Sequence, residues 1–323
     1  MLPGIGLWAV LCLAGAFYGI WLGFGGRGFG VSLAAFSLFF GIEILLACGN
    51  TQERLANSLG VGGGFLLSVL VLLVYLIYAR ETGAFSWKHA AMATAFVLAP
   101  VALAALRERG AAPGWQDYAA VLALFLPFKA RMLAPLWAYP EGRLSYILAI
   151  LMALDVGLAA FLLVRKLDGV GYSLAWAKSW AFTVMLSFVL FGAIAIPLGL
   201  ALGFIRFGPD WAHGKTLPSF ALGVLFFTAW PEEFLFRGIL QNLLSKSLKN
   251  EWRGLAVASI LFGAAHLPNG VNFPHTVNWR YGILAAIAGG FYGWTWKKTG
   301  SIFPAALLHA AVDISWHFFF PTV

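Results

Sequence analysis

The sequence predicts an all-α, polytopic membrane protein, a helix bundle with about 10 to 11 transmembrane helices. Two observations support this fold class. Hydrophobic residues make up 61% of the 323 residues and charged residues only 11%, with a mean hydropathy of +0.84, which leaves too little polar surface to coat a soluble globule. The apolar residues also collect in windows close to the roughly 20 residues that a helix needs to cross the hydrocarbon core of a bilayer.

About eleven such windows follow one another along the chain. They lie near 4–24, 29–48, 60–79, 87–105, 117–137, 145–164, 181–205, 217–240, 253–268, 281–296 and 302–320. The fifth window is the weakest, because two prolines and two basic residues interrupt it, namely Pro127, Lys129, Arg131 and Pro135. That window either spans the bilayer or lies in its interface.

The first window is predicted to be a retained helix, because residues 1–24 lack the basic start of a secretory signal. Cys12 and Cys48 lie inside predicted spans and indicate neither a disulfide framework nor a paired metal motif. The net charge of +8 suits loops that touch anionic lipid headgroups, and no zinc-finger spacing or arginine-rich run indicates nucleic acid. The expected partner is therefore the lipid bilayer, with no nucleic acid.

Lysine and arginine are unevenly distributed over the loops of the second half. The loops at 165–180, 241–253 and 297–301 share one side of the predicted bundle and hold most of them: Arg165, Lys166, Lys178, Lys246, Lys249, Arg253, Lys297 and Lys298. The opposite loops hold Arg206, Lys215 and Arg280. By the positive-inside rule, the first group of loops is cytoplasmic.

Ionisable residues inside the predicted spans are concentrated in the second half of the chain. They occur on three successive polar-bearing spans, as Glu232, Glu233 and Arg237, then His266, then His309 and Asp313. Because an ionisable group at membrane depth costs about 2 to 4 kcal/mol, such a set indicates a functional site.

The first cluster combines two adjacent carboxylates with an arginine. On a helix, Glu233 and Arg237 share a face and can pair, whereas Glu232 points elsewhere and remains available for chemistry. Pro231 predicts a kink or a restart of the helix, which would admit water or substrate. The alternative is a buried ion pair that only locks helices together.

The two histidines each allow two interpretations. His266 either packs in the core as a neutral ring or lines a wet cavity beside the irregular backbone that Pro268 introduces. His309 and Asp313 lie four residues apart on one helix face. They form either a self-neutralising pair or part of a cavity that His309 shares with Glu232 and His266, with Asp313 orienting the imidazole.

A carboxylate and two imidazoles on three spans would suffice to activate a water and to stabilise an oxyanion. The sequence has no G-x-S-x-G elbow and no cysteine near the histidines, which disfavours a covalent acyl-enzyme. Glu232, His266 and His309 could in principle bind zinc, but H-E-x-x-H is absent and zinc is the minor alternative. The expectation is no metal and no cofactor.

The three motifs, in their order, resemble the CPBP family of intramembrane glutamic endopeptidases, which includes CAAX prenyl endopeptidases and bacteriocin-processing proteins. The motifs are E-E-x-x-x-R (Glu232, Glu233, Arg237), F-x-x-x-H (Phe262, His266) and H-x-x-x-polar (His309, Asp313). The resemblance implies a peptidase core at 180–320. The apolar windows before it predict an N-terminal membrane bundle at 1–165, whose role is unknown. It also implies a multi-pass protein of a bacterial or archaeal inner membrane, acting on a membrane-associated peptide or protein.

The resemblance further implies a metal-independent hydrolysis in which Glu232 and His266 polarise the attacking water. Glu233 and Arg237 would hold the motif in shape, and His309 would stabilise the tetrahedral oxyanion with help from position 313. The site is expected in the cytoplasmic half of the membrane. A non-hydrolytic carrier or scaffold with the same polar cluster is the alternative from another class.

Position 313 departs from the family pattern, because relatives often have asparagine where this chain has Asp313. An oxyanion site needs hydrogen-bond donors, and an ionised carboxylate supplies only acceptors. Three explanations are open. Asp313 is kept protonated by burial, or it pairs with a protonated His309 that acts as the donor, or the chain is a weak or inactive relative.

Overall fold

The computed structural model describes residues 2–139, 143–269 and 276–322. Within these ranges the regular structure is helical and no strand forms, apart from one isolated bridge between Ile205 and Thr322. The all-α prediction is therefore confirmed. The chain divides into two compact units, Met1–Asp168 and Gly169–Val323.

The first unit is built from seven described helices and one short 3-10 turn. They are α1 (Leu2–Trp21), α2 (Gly26–Ala47), α3 (Thr51–Ser58), α4 (Gly60–Glu81), α5 (Trp87–Ala105), α6 (Trp115–Lys129), the 3-10 turn Ala134–Leu136, and α7 (Arg143–Leu158). Helix α7 continues as the π-helical segment Ala159–Val164.

The second unit holds the three sequence motifs. Its helices are α8 (Trp180–Ala201), the 3-10 segment Trp211–Thr216, α9 (Leu217–Val224), α10 (Trp230–Glu233), α11 (Asn242–Ser247), α12 (Glu251–His266), α13 (Trp279–Thr299) and α14 (Ile302–Phe319). Two π-helical segments, Leu225–Ala229 and Phe234–Gln241, join α9, α10 and α11 into one continuous helical run. We call this run, residues 217–247, the motif helix.

Eight of the described helices are long and apolar enough to cross a membrane, which confirms the polytopic fold class. These spans are Gly4–Trp21, Gly26–Ala47, Gly60–Glu81, Trp87–Ala105, Ser145–Val164, Trp180–Ala201, Gly214–Ser247 and Ile302–Phe319. The windows at 117–137, 253–268 and 281–296 also form helices, but fall short of the length or hydropathy of a span. The window at 117–137 is short because α6 ends at Lys129, after 15 residues.

The motif helix continues through Pro231 and does not restart there. Instead, π-helical turns lie on both sides of α10, and the Trp230 N–H donates to the Leu225 carbonyl five residues earlier. A π-helical turn is wider than an α-helical one, which leaves room for the ring of Pro231 and for its missing N–H. Such turns occur frequently at functional sites.

Helices α12 and α13 pack closely through glycine. A Cβ atom added to Gly263 would lie 2.5 Å from the Gly282 carbonyl oxygen, and one added to Gly289 would lie 3.2 Å from the Cα atom of Ser259. Small residues let two helix backbones approach in a membrane, where packing drives association. This close approach fixes the position of the side chains that α12 and α13 carry toward α14.

The basic loops of the second unit lie together at one end of its helices. Lys297 Nζ is 3.0 Å from Glu251 Oε2, and the Ile302 N–H donates to the Gly171 carbonyl across 3.0 Å. At the opposite end, Arg280 donates to the Gly203 carbonyl. The structure thus places the lysine-rich and arginine-rich loops at the same end, as the assignment of loops to two sides required.

We predict that the two ends of the second unit lie on opposite sides of the membrane. Single cysteines replacing Leu248 and Gly214, in a background without Cys12 and Cys48, should react differently with a membrane-impermeant maleimide in intact cells. The Gly214→Cys variant should be labelled from outside, and Leu248→Cys only after permeabilisation, because the basic end is expected in the cytoplasm. Labelling of both variants in intact cells would contradict this orientation.

Candidate active site

The motif helix carries a buried ion pair at its centre. Arg237 Nε lies 3.0 Å from Glu233 Oε2, and both side chains are 0% exposed. The spacing of four residues places both on one helix face, so the predicted contact forms. The guanidinium carbon of Arg237 also lies 4.5 Å from the centre of the Phe262 ring, which packs α12 against the pair.

Glu233 makes a second contact that the sequence did not reveal. Its Oε1 lies 2.9 Å from Nδ1 of His309, on α14. Because a carboxylate only accepts, Nδ1 carries the hydrogen and donates it. Glu233 therefore joins the first motif to the third, rather than serving Arg237 alone.

The imidazole of His309 is held on its face as well as at its edge. The Tyr292 ring stacks on it with a centroid distance of 4.5 Å and an interplanar angle of 18°. Both residues are buried, with 3% of His309 and 1% of Tyr292 exposed. The ring plane of His309 is thus fixed by α13, and its direction by Glu233.

Asp313 lies beside His309 without a hydrogen bond to it. Its Oδ2 is 3.6 Å from His309 Nε2, which is too long for a hydrogen bond but close enough for an ion pair. The side chain of Asp313 is 26% exposed, whereas that of His309 is almost buried. His309 and Asp313 therefore lie on one face of α14, as predicted, but Asp313 makes no hydrogen bond to Nε2 of His309.

His266 is oriented by its own helix. Its Nδ1 lies 2.7 Å from the Phe262 carbonyl oxygen one turn earlier. A carbonyl accepts, so Nδ1 donates, and in the neutral ring Nε2 then carries the lone pair. The Phe262 ring lies between the two histidines, 4.5 Å from the His266 ring and 5.8 Å from the His309 ring.

Glu232 is partly buried and differs from Glu233 in its contacts. Its Oε2 atom is buried and has no hydrogen-bond partner among the described residues. The carboxylate lies close enough to His309 and Asp313 to interact with both electrostatically. A buried carboxylate oxygen is costly unless it is hydrogen-bonded, so this atom is suited to bind a water or a substrate group.

A cavity of about 120 Å³ lies beside these residues. His266, His309 and Asp313 line it together, so the structure brings three of the four predicted catalytic side chains to one space. The described lining does not include Glu232, which lies on the motif helix close enough to His309 to interact with it electrostatically.

The cavity extends toward the end of the unit that is opposite to the basic loops. Phe204, Ile205 and Phe320 contribute to its walls, and these residues lie near the Arg280 end of α13. The cavity therefore extends beyond the half of the basic loops, in which the site was expected. The positive-inside rule predicts the side of the loops but not the depth of a polar group along its helix.

Sequence reasoning missed two tyrosines on α13. Tyr292 stacks on His309, and Tyr281 packs edge-on against His266 with ring centres 4.8 Å apart. Both line the cavity. Their helical spacing, which puts both on one face of α13, could have indicated that they lie together. Aromatic residues at such spacing are common in ordinary membrane packing, however, so the spacing alone does not indicate a site.

No group of three His, Cys, Asp or Glu side chains placed to hold a metal ion occurs within 2–139, 143–269 and 276–322. The two histidines of the zinc alternative each have a hydrogen-bond partner at Nδ1. Nδ1 of His309 contacts Glu233, and Nδ1 of His266 contacts the Phe262 carbonyl.

The fold and the site define a multi-pass membrane protein with a buried acid, base and arginine centre on three helices. Residues 214–315 match the family model for type II CAAX prenyl endopeptidase Rce1-like. The match includes all three motifs, so this segment belongs to the CPBP family, as the motifs predicted. It covers less than a third of the chain and leaves the first unit outside.

The family supports an intramembrane endopeptidase of the CAAX-protease type, a hydrolase acting on membrane-associated substrates. A comparison with curated proteins found no match, and a comparison with solved structures found none either.

We predict that Arg237→Met destabilises the protein by about 3 to 5 kcal/mol, because it leaves the buried Glu233 carboxylate without its cation. Methionine keeps the apolar bulk against Phe262. Titration with denaturant in a mild detergent measures the change in the free energy of unfolding. Lys297→Met is the matched control, since its partner Glu251 is 70% exposed and such a pair is worth at most about 1 kcal/mol. Equal losses in both variants would show that the buried pair contributes no special stability.

Proposed function

We propose that the second unit is an intramembrane endopeptidase that hydrolyses a peptide bond of a membrane-associated peptide or protein. The observation that carries the proposal is the contact of His309 with Glu233, made at the wall of a cavity that His309 shares with His266. A histidine fixed at one nitrogen presents the other to a reacting group.

Glu232 and His266 are proposed to activate the attacking water. Oε2 of Glu232, which has no hydrogen-bond partner among the described residues, can accept one water proton, and His266 is proposed to polarise the same water. As the hydroxide forms a bond to the carbonyl carbon, the proton passes to Glu232. The protonated acid then delivers this proton to the leaving amine when the C–N bond breaks, which restores the starting state.

His309 is proposed to stabilise the oxyanion. With Nδ1–H donated to Glu233, an imidazolium still has Nε2–H to donate, and Asp313 is too far away to engage that hydrogen fully. Donors placed where negative charge develops are among the largest contributions to catalysis. Tyr292 and Glu233 keep the ring from turning, so little reorganisation is needed during the reaction.

The proposed reaction requires no metal or cofactor. The host membrane is proposed to be the inner membrane of a bacterium or an archaeon.

The cavity extends toward the end opposite to the basic loops. If those loops are cytoplasmic, the substrate approaches from the outer face of that membrane. The first unit is proposed to anchor the enzyme or to present the substrate.

The isosteric variant Glu232→Gln should lower peptide cleavage by at least about 100-fold, because an amide cannot take the water proton. The assay uses the full chain in lipid nanodiscs and a library of internally quenched membrane-proximal peptides, with cleavage sites mapped by mass spectrometry. Activity should be unchanged by a chelator. The control is Gln52→Glu, on α3 in the first unit, which alters charge outside the site and should leave cleavage unchanged.

Cleavage retained in Glu232→Gln would contradict the role of Glu232, and loss on chelation would favour the zinc alternative. Peptide binding without cleavage by the folded wild type would favour the carrier or scaffold.

We predict that Asp313→Asn raises cleavage, on the order of tenfold. A carboxylate beside a developing oxyanion repels it by at least about 1 kcal/mol, whereas an asparagine amide adds a donor. Comparison with Asp313→Ala separates the two effects, since alanine removes the charge without adding a donor. Loss of cleavage in Asp313→Asn at unchanged folding would show that Asp313 is required as an acid.

A further inference from the structure

The innermost span of the first unit carries a single acidic residue. Helix α7 and the π-helical segment after it form the span Ser145–Val164, and 94% of its apolar stretch is buried in the protein, against 11 to 39% in the other spans of this unit. Asp155 lies on this span and is 0% exposed. An ionisable residue in the interior of a membrane bundle is costly to keep and usually marks a functional site.

Asp155 lacks the partners that another buried acid of the same unit has. Asp117 is also 0% exposed, but Arg165 Nε lies 2.7 Å from its Oδ1, and the Gly114 N–H donates to its Oδ2. Within 2–139, 143–269 and 276–322, neither oxygen of Asp155 has a hydrogen-bond partner, and no basic side chain forms an ion pair with it. A buried carboxylate without such partners is strongly unfavourable, so a positive charge from outside the protein is needed to offset it.

A second carboxyl group approaches Asp155 from α2. Glu43 is 2% exposed and lies close enough to Asp155 for the two groups to interact electrostatically. Two negative charges at this separation repel each other strongly in an interior without water. The two side chains are therefore not both ionised unless a cation lies with them.

Helix α4 places a hydroxyl group at the same depth. Helices α4 and α7 run antiparallel, and a Cβ atom added to Gly64 would lie 2.9 Å from the Ala159 carbonyl oxygen. Ser68 and Asp155 each lie one turn from this contact, in the same direction. Ser68 is 0% exposed, and its hydroxyl donates its hydrogen to the Gly64 carbonyl across 2.8 Å, which leaves the lone pairs of its oxygen to bind a cation.

We propose that Asp155 and Glu43 form a binding site for one small monovalent cation, a proton or a sodium ion, in the interior of the first unit. A proton on one carboxyl group removes one of the two like charges. A sodium ion offsets the same charge and is held by carboxylate oxygens together with the Ser68 hydroxyl. Buried carboxylates on membrane helices serve as proton and ion sites in pumps and transporters. The site lies wholly within the first unit, so the proposal does not depend on the peptidase function.

Thermal unfolding of the full chain in detergent tests for sodium, with sodium chloride exchanged for choline chloride at constant ionic strength. Sodium should raise the unfolding midpoint of the wild type by at least about 3 °C, because it binds the folded state. Asp155→Asn, which has the shape of the acid without its charge, should not respond to sodium. Glu43→Gln tests the same site from α2 if Asp155→Asn does not fold. Glu53→Gln, at an exposed position of α3, is the matched control and should respond as the wild type does.

Infrared spectroscopy of the same proteins at neutral pH tests for the proton, because a protonated carboxyl group has a C=O stretching band that a carboxylate lacks. If the wild type does not respond to sodium, it should show such a band, and Asp155→Asn or Glu43→Gln should remove it. A sodium response identifies the ion as sodium, and the band identifies it as a proton. A wild type with neither effect would overturn the proposal, and so would effects that both variants retain.

Discussion

The second unit depends on one buried carboxylate, Glu233. Burying an ion in a low-dielectric interior costs several kcal/mol, and the cost is offset only when partners surround it with good geometry. Arg237 supplies the charge from the same helix, and His309 supplies a hydrogen bond from α14. Phe262 of α12 covers the guanidinium. One carboxylate thus ties three helices together and fixes the histidine that the proposed chemistry needs.

The pairing of Glu233 with Arg237 was predictable, because residues four apart on a helix share a face whatever surrounds them. The same rule predicted that His309 and Asp313 are neighbours, and the apolar windows predicted most of the spans. The contact between Glu233 and His309 was not predictable, since it depends on how α14 packs against the motif helix. The π-helical turns around Pro231 were also missed, because proline predicts a disturbance and not the form it takes.

The order of the three motifs predicted the family, and the geometry explains why that order is informative. Each motif provides a different part of one polar site, and glycine contacts such as Gly254 of α12 against Ser245 of the motif helix hold its helices close. The apolar wall of α8 has no motif of its own and resembles any other membrane span in the sequence. Its contribution to the cavity appears only when its face is seen opposite α13. The apolar walls of the cavity are therefore harder to predict from one sequence than its ionisable residues.

Because of its two π-helical segments, the motif helix directs Glu232 and Glu233 by the exact number of residues it contains. Each residue advances an α-helix by about 100° around its axis, so one residue gained or lost re-aims everything beyond it. Between Leu225 and Ala229 the helix absorbs such an offset before Glu232 is reached, and between Phe234 and Gln241 it absorbs a second one after Glu233. Glu233 can therefore reach His309 of α14 while the two ends of the same helix keep the orientations that suit the lipid and the neighbouring helices. A deletion of one residue here would leave the composition nearly intact and point the acids elsewhere.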